Sequence, residues 1–168
     1  MGLRTWGAVC AVATMVALAP GFCRPAIADD RELCKTEKGD AAIAACTRAI
    51  ESKKFKRKKF KRTLSLLYTN RGVEYEIKKE WDKATADHSE AIKVDPKNYA
   101  AYNNRGNAYA AKGSYDLAIA DFDEAIKLKP EYADAYFNRS IAKRYKGDFS
   151  GADADVAQAK ALDPALGN

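Results

Sequence analysis

The strongest constraint on this 168-residue chain is an internal repeat. Displaced by 34 residues against itself, the sequence aligns a full set of columns between residues 65 and 166. Asn70-Arg71-Gly72 returns as Asn104-Arg105-Gly106 and as Asn138-Arg139-Ser140, and an aromatic residue stands before each, at Tyr68, Tyr102 and Tyr136. Ala84, Ala118 and Ala152 make one alanine column, Ala91, Ala125 and Ala159 another, and Trp81, Tyr115 and Phe149 an aromatic one. Pro96, Pro130 and Pro164 close the units. A unit of this length cannot bury its apolar face alone and does so by stacking on its neighbours, which few architectures achieve at this period.

Each unit reads as two helices. Tyr102, Gly106 and Tyr109 fall at roughly helical spacing on one face, and Ala118, Phe122 and Ala125 do the same on the next helix. The small residues let the two helices approach, and the aromatics fill the space between them. Gly113, with Lys79-Glu80 and Gly147 in the neighbouring units, marks the turn between helices, and each proline stands where the second helix must stop. With Tyr102, Gly106, Tyr109, Ala118, Phe122, Ala125 and Pro130 in their places, the middle unit resembles the tetratricopeptide repeat. The resemblance implies an all-α solenoid of helical hairpins, with repeats at 65–98, 99–132 and 133–166 and a tail at 167–168. Departures from the family pattern are Arg71, Arg105 and Arg139 in its leucine column, Ser140 for glycine, Lys143 for tyrosine and His88 at the Phe122 place. His88, the single histidine, is expected to be a packed core or semi-buried residue without catalytic duty.

Upstream of the repeats, residues 1–28 carry Arg4, the uncharged run Trp6 to Ala19, and Ala26-Ile27-Ala28 before Asp29. This is the pattern of a secretory signal peptide cleaved after Ala28, with an apolar run too short to span a bilayer. Export to the periplasm or beyond is the expected localisation. Cleavage takes Cys10 and Cys23 with it and leaves Cys34 and Cys46, for which only one intramolecular pairing exists. An oxidising compartment favours that disulfide, against the plainer reading of Cys46 as a small buried residue on a helix face. Gly39 to Ile50 matches the second helix of a repeat once two residues are dropped after the glycine, so residues 29–52 read as an N-terminal half-repeat cap. The partner helix there is short, and a Cys34–Cys46 bridge would tie it down.

Residues 53–64 form a basic connector. Lys53, Lys54, Lys56, Arg57, Lys58, Lys59, Lys61 and Arg62 crowd around Phe55 and Phe60. Without residues 1–28 the chain carries 27 Lys and Arg against 23 acids; outside the basic run the balance is 19 against 23. An otherwise acidic solenoid thus wears one basic collar. Two readings stand open for it: contact with an anionic polymer or membrane (lipopolysaccharide, nucleic acid, acidic lipid), the phenylalanines stacking or inserting, or a solvated connector with its aromatics packed inward.

In the tetratricopeptide family the first helix of each hairpin lines a concave groove, which the resemblance makes the default binding site for an extended peptide or partner surface. Asn70, Asn104 and Asn138 share one repeat position and would form a three-rung amide ladder, able to donate to and accept from a peptide backbone. Groove neighbours in the same register are Val73, Asn103, Asn107, Phe137 and Ile141, with Thr69, Glu76, Ala110 and Arg144 beside them. Relatives that clamp a chaperone's C-terminal carboxylate carry cationic or amide groups where this chain has Thr69, Val73 and Asp134, so that ligand is not expected. Hydrolase and metalloprotease motifs are absent, and carboxylates such as Asp121 and Asp123 are expected on outer helix faces, not converging on a centre. No catalytic residue, metal, cofactor or small-molecule substrate is expected. The expected function is a non-catalytic protein-interaction scaffold, with self-association through the uncapped C-terminal repeat as a further possibility.

Overall fold

The computed structural model describes residues 29–52, 55 and 58–166. The signal-peptide reading falls on residues 1–28 and lies outside the described residues, as do Lys53, Lys54, Lys56, Arg57 and the tail at 167–168. Among the described residues there are eight α-helices and no strand: α1 (Asp30–Thr36), α2 (Gly39–Glu51), α3 (Lys61–Ile77), α4 (Trp81–Val94), α5 (Tyr99–Ala111), α6 (Tyr115–Leu128), α7 (Ala133–Tyr145) and α8 (Phe149–Leu162). A single 3-10 turn, Lys58–Phe60, leads into α3. The described residues form a solenoid of helical hairpins, α3–α4, α5–α6 and α7–α8, preceded by the shorter hairpin α1–α2.

The columns of the repeat explain the packing. Ala84, Ala91, Ala118, Ala125, Ala152 and Ala159 are wholly buried, so the second helix of each hairpin lies close against the first. The glycine column is the point of closest approach. A Cβ on Gly106 would stand 2.6 Å from Phe122 Cε1, and one on Gly72 would collide with the ring of His88. In the third hairpin Val156 stands in the register of Phe122, and the shorter side chain accompanies Ser140 in the glycine column. Left-handed backbone at Gly113 (φ 76°) and Gly147 (φ 84°) reverses the chain between helices. Lys79 adopts the same conformation (φ 59°) in the first hairpin, without glycine's freedom.

Helix α3 starts four residues earlier than the repeat register. Lys61 to Leu64, read from sequence as the end of a connector, form its first turn. No helix breaker stands there, and Phe60, Leu64 and Tyr68 gain burial against Cys46, Ala49, Ile50 and Leu67 of the cap's core.

Arginines in one column of the repeat lock the hairpins. Arg71, Arg105 and Arg139 each make a two-pronged pair with the aspartate sixteen residues on, Asp87, Asp121 and Asp155, at 2.6–2.8 Å. The remaining guanidinium nitrogen of each crosses to the preceding hairpin, reaching Thr47 at 2.9 Å, Ser89 at 3.1 Å and Asp123 at 2.5 Å. Each arginine therefore ties its own hairpin together and to the one before. Asp121 is accordingly buried, which corrects its expected place on an outer face: its position one residue before Phe122 turns it inward onto Arg105. A second inter-hairpin set is exposed, pairing Lys78 with Asp40, Lys112 with Asp82 and Lys146 with Asp116. The side-chain hydrogen bonds to the aspartates raise the pKa of Arg71, Arg105 and Arg139. At Asp155, burial opposes ionisation, yet hydrogen bonds from Arg139 and Lys143 outweigh it and hold the carboxyl below its usual range.

Arg105→Ala leaves Asp121 buried without its partner and is expected to cost about 3 kcal/mol in urea unfolding, whereas Arg105→Leu combined with Asp121→Ala should stay within about 1 kcal/mol of the parent. Because Asp155 has a depressed pKa, its contribution is complete above the unfolded-state value near about 3.9 and is lost as pH falls through the lower folded value. Asp155→Asn should therefore flatten the acid limb of stability against pH, measured by thermal unfolding between pH 2 and 6, and leave its shape above pH 5 unchanged.

Candidate functional site

The first helices of successive hairpins touch one another, α1 with α3, α3 with α5 and α5 with α7, whereas no such contact links α2, α4, α6 and α8. The stack therefore curves with α1, α3, α5 and α7 on its inner side. Along this inner face the structure distributes the sequence-derived candidates unevenly. Asn70 and Val73 line a cavity of about 360 Å³ between α1 and α3, together with Lys35, Lys38, Leu66 and Glu74. Asn104, Asn107, Phe137 and Asn138 are half-buried, and Ile141 is exposed.

Asn103 differs from expectation. It is 3% exposed and sits inside the face instead of on it. Its Nδ2 donates to Asn104 Oδ1 at 3.3 Å, and its Oδ1 accepts from Asn138 Nδ2 at 3.1 Å. Two of the three ladder asparagines are thus held by a fourth, while Asn70 stands apart beneath α1. Fixed side-chain amides present their remaining donors and acceptors at set angles, which lowers the entropic cost of engaging a backbone. The other neighbours read from the register are engaged elsewhere. Thr69 is buried and accepts from Asn98 Nδ2 at 3.1 Å, Glu76 contacts His88 Nε2 at 3.0 Å, Ala110 packs on the Phe122 cluster, and Arg144 pairs with Asp153. His88 itself is fully buried under Gly72, with Nδ1 unpartnered.

The cap is joined by a Cys34–Cys46 disulfide that holds the seven-residue α1 against α2. Glu74 of α3 supports it from below, accepting a 2.7 Å hydrogen bond from Gly39 N at the start of α2. In the basic tract, Lys58, Lys59, Lys61 and Arg62 are exposed. Phe55 is buried and packs edge-on to Phe60, ring centroids 5.7 Å apart. The phenylalanines turn inward, which corrects the reading in which they stack on or insert into an anionic surface; the cap's core of Cys34, Ile50 and Leu67 offers them an apolar neighbour.

Several inner-face residues escaped sequence reading: Arg31, Lys35 and Lys38 of the cap, Leu66, Lys97 and Tyr99. The signal was present for Leu66, whose 34-residue counterparts are Ala100 and Asp134. At the far end, Tyr145, Phe149 and Leu162 are exposed; Phe149 is 62% open where its counterparts Trp81 and Tyr115 are half-buried. Among the described residues no group of three or more His, Cys, Asp or Glu could hold a metal ion, and no helix is long and apolar enough to cross a membrane.

The family described as TPR repeat matches residues 72–113 and 106–147. No curated protein matches the chain. Among solved structures, the TPR domain of Arabidopsis OM64 is 26% identical, with 64% of this chain and 88% of that one covered and a TM-score of 0.62. The Sgt2 TPR domain from Aspergillus fumigatus is 25% identical over 62% of this chain and 69% of that one, TM-score 0.59. The first TPR of Spaghetti (RPAP3) bound to HSP90 peptide SRMEEVD is 24% identical over 61% of this chain and 82% of that one, TM-score 0.60, and shares the fold.

A seven-residue helix has little stability of its own. Reducing Cys34–Cys46 is expected to remove about 3 kcal/mol from the cap by the loop-entropy estimate. Hydrogen exchange should then accelerate at residues 30–36 while the amides of α5 to α8 keep their protection.

Proposed function

We propose that this chain, a tetratricopeptide-repeat solenoid in fold, is a non-catalytic scaffold that captures an extended peptide segment of a partner protein along its inner face. The observation that carries the reading is the coupled set Asn103, Asn104 and Asn138 on adjacent first helices, with Asn70 one hairpin upstream. Side-chain amides suit a peptide backbone because they offer donor and acceptor together and demand no particular side chain. The shared fold of the Spaghetti domain, solved with a peptide, supports this mode of use but not that peptide. Thr69, at a place where carboxylate-clamping relatives carry a cationic or amide group, is buried and bonded to Asn98.

The protein works outside the cytosol in this reading, in the periplasm or beyond, after cleavage near Ala28. Support comes from the order of charge, apolar run and small residues in 1–28 and from the Cys34–Cys46 bridge, since such bonds persist in oxidising compartments. A second reading keeps the exposed cations Lys58, Lys59, Lys61 and Arg62 as a contact for an anionic polymer or membrane. The exposed side chains Tyr145, Phe149 and Leu162 are the surface a second copy would cover.

Capture of partners by the protein and by two variants separates the readings. Asn70→Ala, Asn104→Ala and Asn138→Ala together should weaken binding about 100-fold, at roughly 1 kcal/mol for each hydrogen-bonding amide lost. Lys58→Glu, Lys59→Glu and Lys61→Glu together should leave it unchanged. Binding that survives the asparagine variant, with its thermal midpoint intact, and disappears with the lysine variant would overturn the groove in favour of the basic tract.

A further inference from the structure

Three cavities meet at Leu66. One of about 360 Å³ lies between α1 and α3 and is walled by Lys35 and Lys38; one of about 90 Å³ beside it includes Arg31; a third, of about 410 Å³ between α3 and α5, includes Arg62 and Lys97. Leu66 lines all three and is 44% exposed, a large aliphatic side chain on the inner face where the later hairpins carry Ala100 and Asp134.

Charge distinguishes this end of the groove from the rest. Five cations line it in a solenoid that is net acidic outside the basic run. Lys38, Arg62 and Lys97 have no carboxylate partner among the described residues, and the pairs Lys35–Glu32 at 3.5 Å and Arg31–Asp29 at 3.8 Å are long and exposed. The two acids in the cavities are committed to backbone: Glu74 to Gly39 N, and Asp95 to Lys97 N at 3.2 Å. Further along, Asn104, Asn107, Phe137 and Ile141 are uncharged.

Resting on the peptide-groove reading above, we infer that the N-terminal half of the groove takes an acidic peptide segment, its carboxylates facing the cations of the cap, of the start of α3 and of the loop before α5, and an aliphatic side chain seated on Leu66. A peptide satisfies these features jointly. A lone anion would use one or two cations and leave Leu66 open, and a flat membrane face cannot follow a concave surface. Crossing from α1 to α5 spans two helix-to-helix distances of about 8–10 Å, which about six extended residues bridge at roughly 3.3 Å each. The stapled cap creates the site, since Arg31 and Lys35 belong to α1 and Lys38 to the turn that follows it.

The test is selection from a degenerate heptapeptide library by oxidised protein produced from the full-length chain, followed by anisotropy titration of the winning peptides. The expected result is enrichment of Asp and Glu around a Leu, Ile or Met. Lys35→Glu with Lys38→Glu, and separately Arg62→Glu with Lys97→Glu, should each weaken binding at least tenfold; all four residues are exposed, and circular dichroism melts verify the fold. Lys127→Glu on the outer surface should change nothing, and dithiothreitol should weaken binding as α1 loosens. Peptides selected without acidic preference, yet lost in the asparagine triple variant, would overturn this inference and leave the scaffold reading standing. Selection of no peptide would remove both. Binding of phosphatidylglycerol vesicles as tight as that of the peptides, with the same dependence on Lys35 and Lys38, would assign the site to a polyanionic surface and overturn it as well.

Discussion

The guanidinium of each NRG or NRS motif is the joint on which the stack depends. Alanine and glycine columns allow helices to approach, but apolar contact between small residues is non-directional and does not choose one rotation of a hairpin over another. The two-pronged pairs of Arg71, Arg105 and Arg139 with Asp87, Asp121 and Asp155 do choose, because a planar fork meets a carboxylate in one geometry. The third nitrogen then carries the constraint to Thr47, Ser89 or Asp123 of the preceding hairpin. Arginine in this column exchanges some hydrophobic gain for orientation, repeated at each hairpin.

At the N-terminus the same logic is applied with fewer residues. The cap's first helix has seven residues where the later ones have thirteen or more, too few to hold itself by burial. A covalent bond supplies what length does not, and Glu74 and the inward-turned Phe55 and Phe60 complete the support. The consequence for binding is direct. The cap closes the apolar end of the stack and places its cations over Leu66, so the element that stabilises the terminus also shapes the groove there.

Much of this architecture is legible in the residues themselves. The 34-residue columns state the number of hairpins, the turn positions and the close approach at Gly72 and Gly106, because small residues and helix stops act locally and leave a periodic trace. The helix that begins at Gly39 is legible from the match of Gly39 to Ile50, and the pairing of Cys34 with Cys46 from their number. Other features are not. Asp121 reads as an outer-face carboxylate until Arg105 is seen to reach it, and Asn103 reads as a groove residue until its bonds to Asn104 and Asn138 place it inside. The cations of the cap leave no mark in the sequence, because their relation to Leu66 runs between helices some thirty residues apart in the chain.

The sequence by itself determined the hairpin, its repetition and the residue types available along its first helix, since periodicity and turn chemistry are properties of neighbouring positions. Which side chains are spent on holding hairpins together and which remain for a ligand was decided only by the tertiary structure. Burial and pairing depend on what the adjacent hairpin presents: Thr69 and Asn103 stand in the same repeat position, yet the first meets Asn98 and the second Asn138.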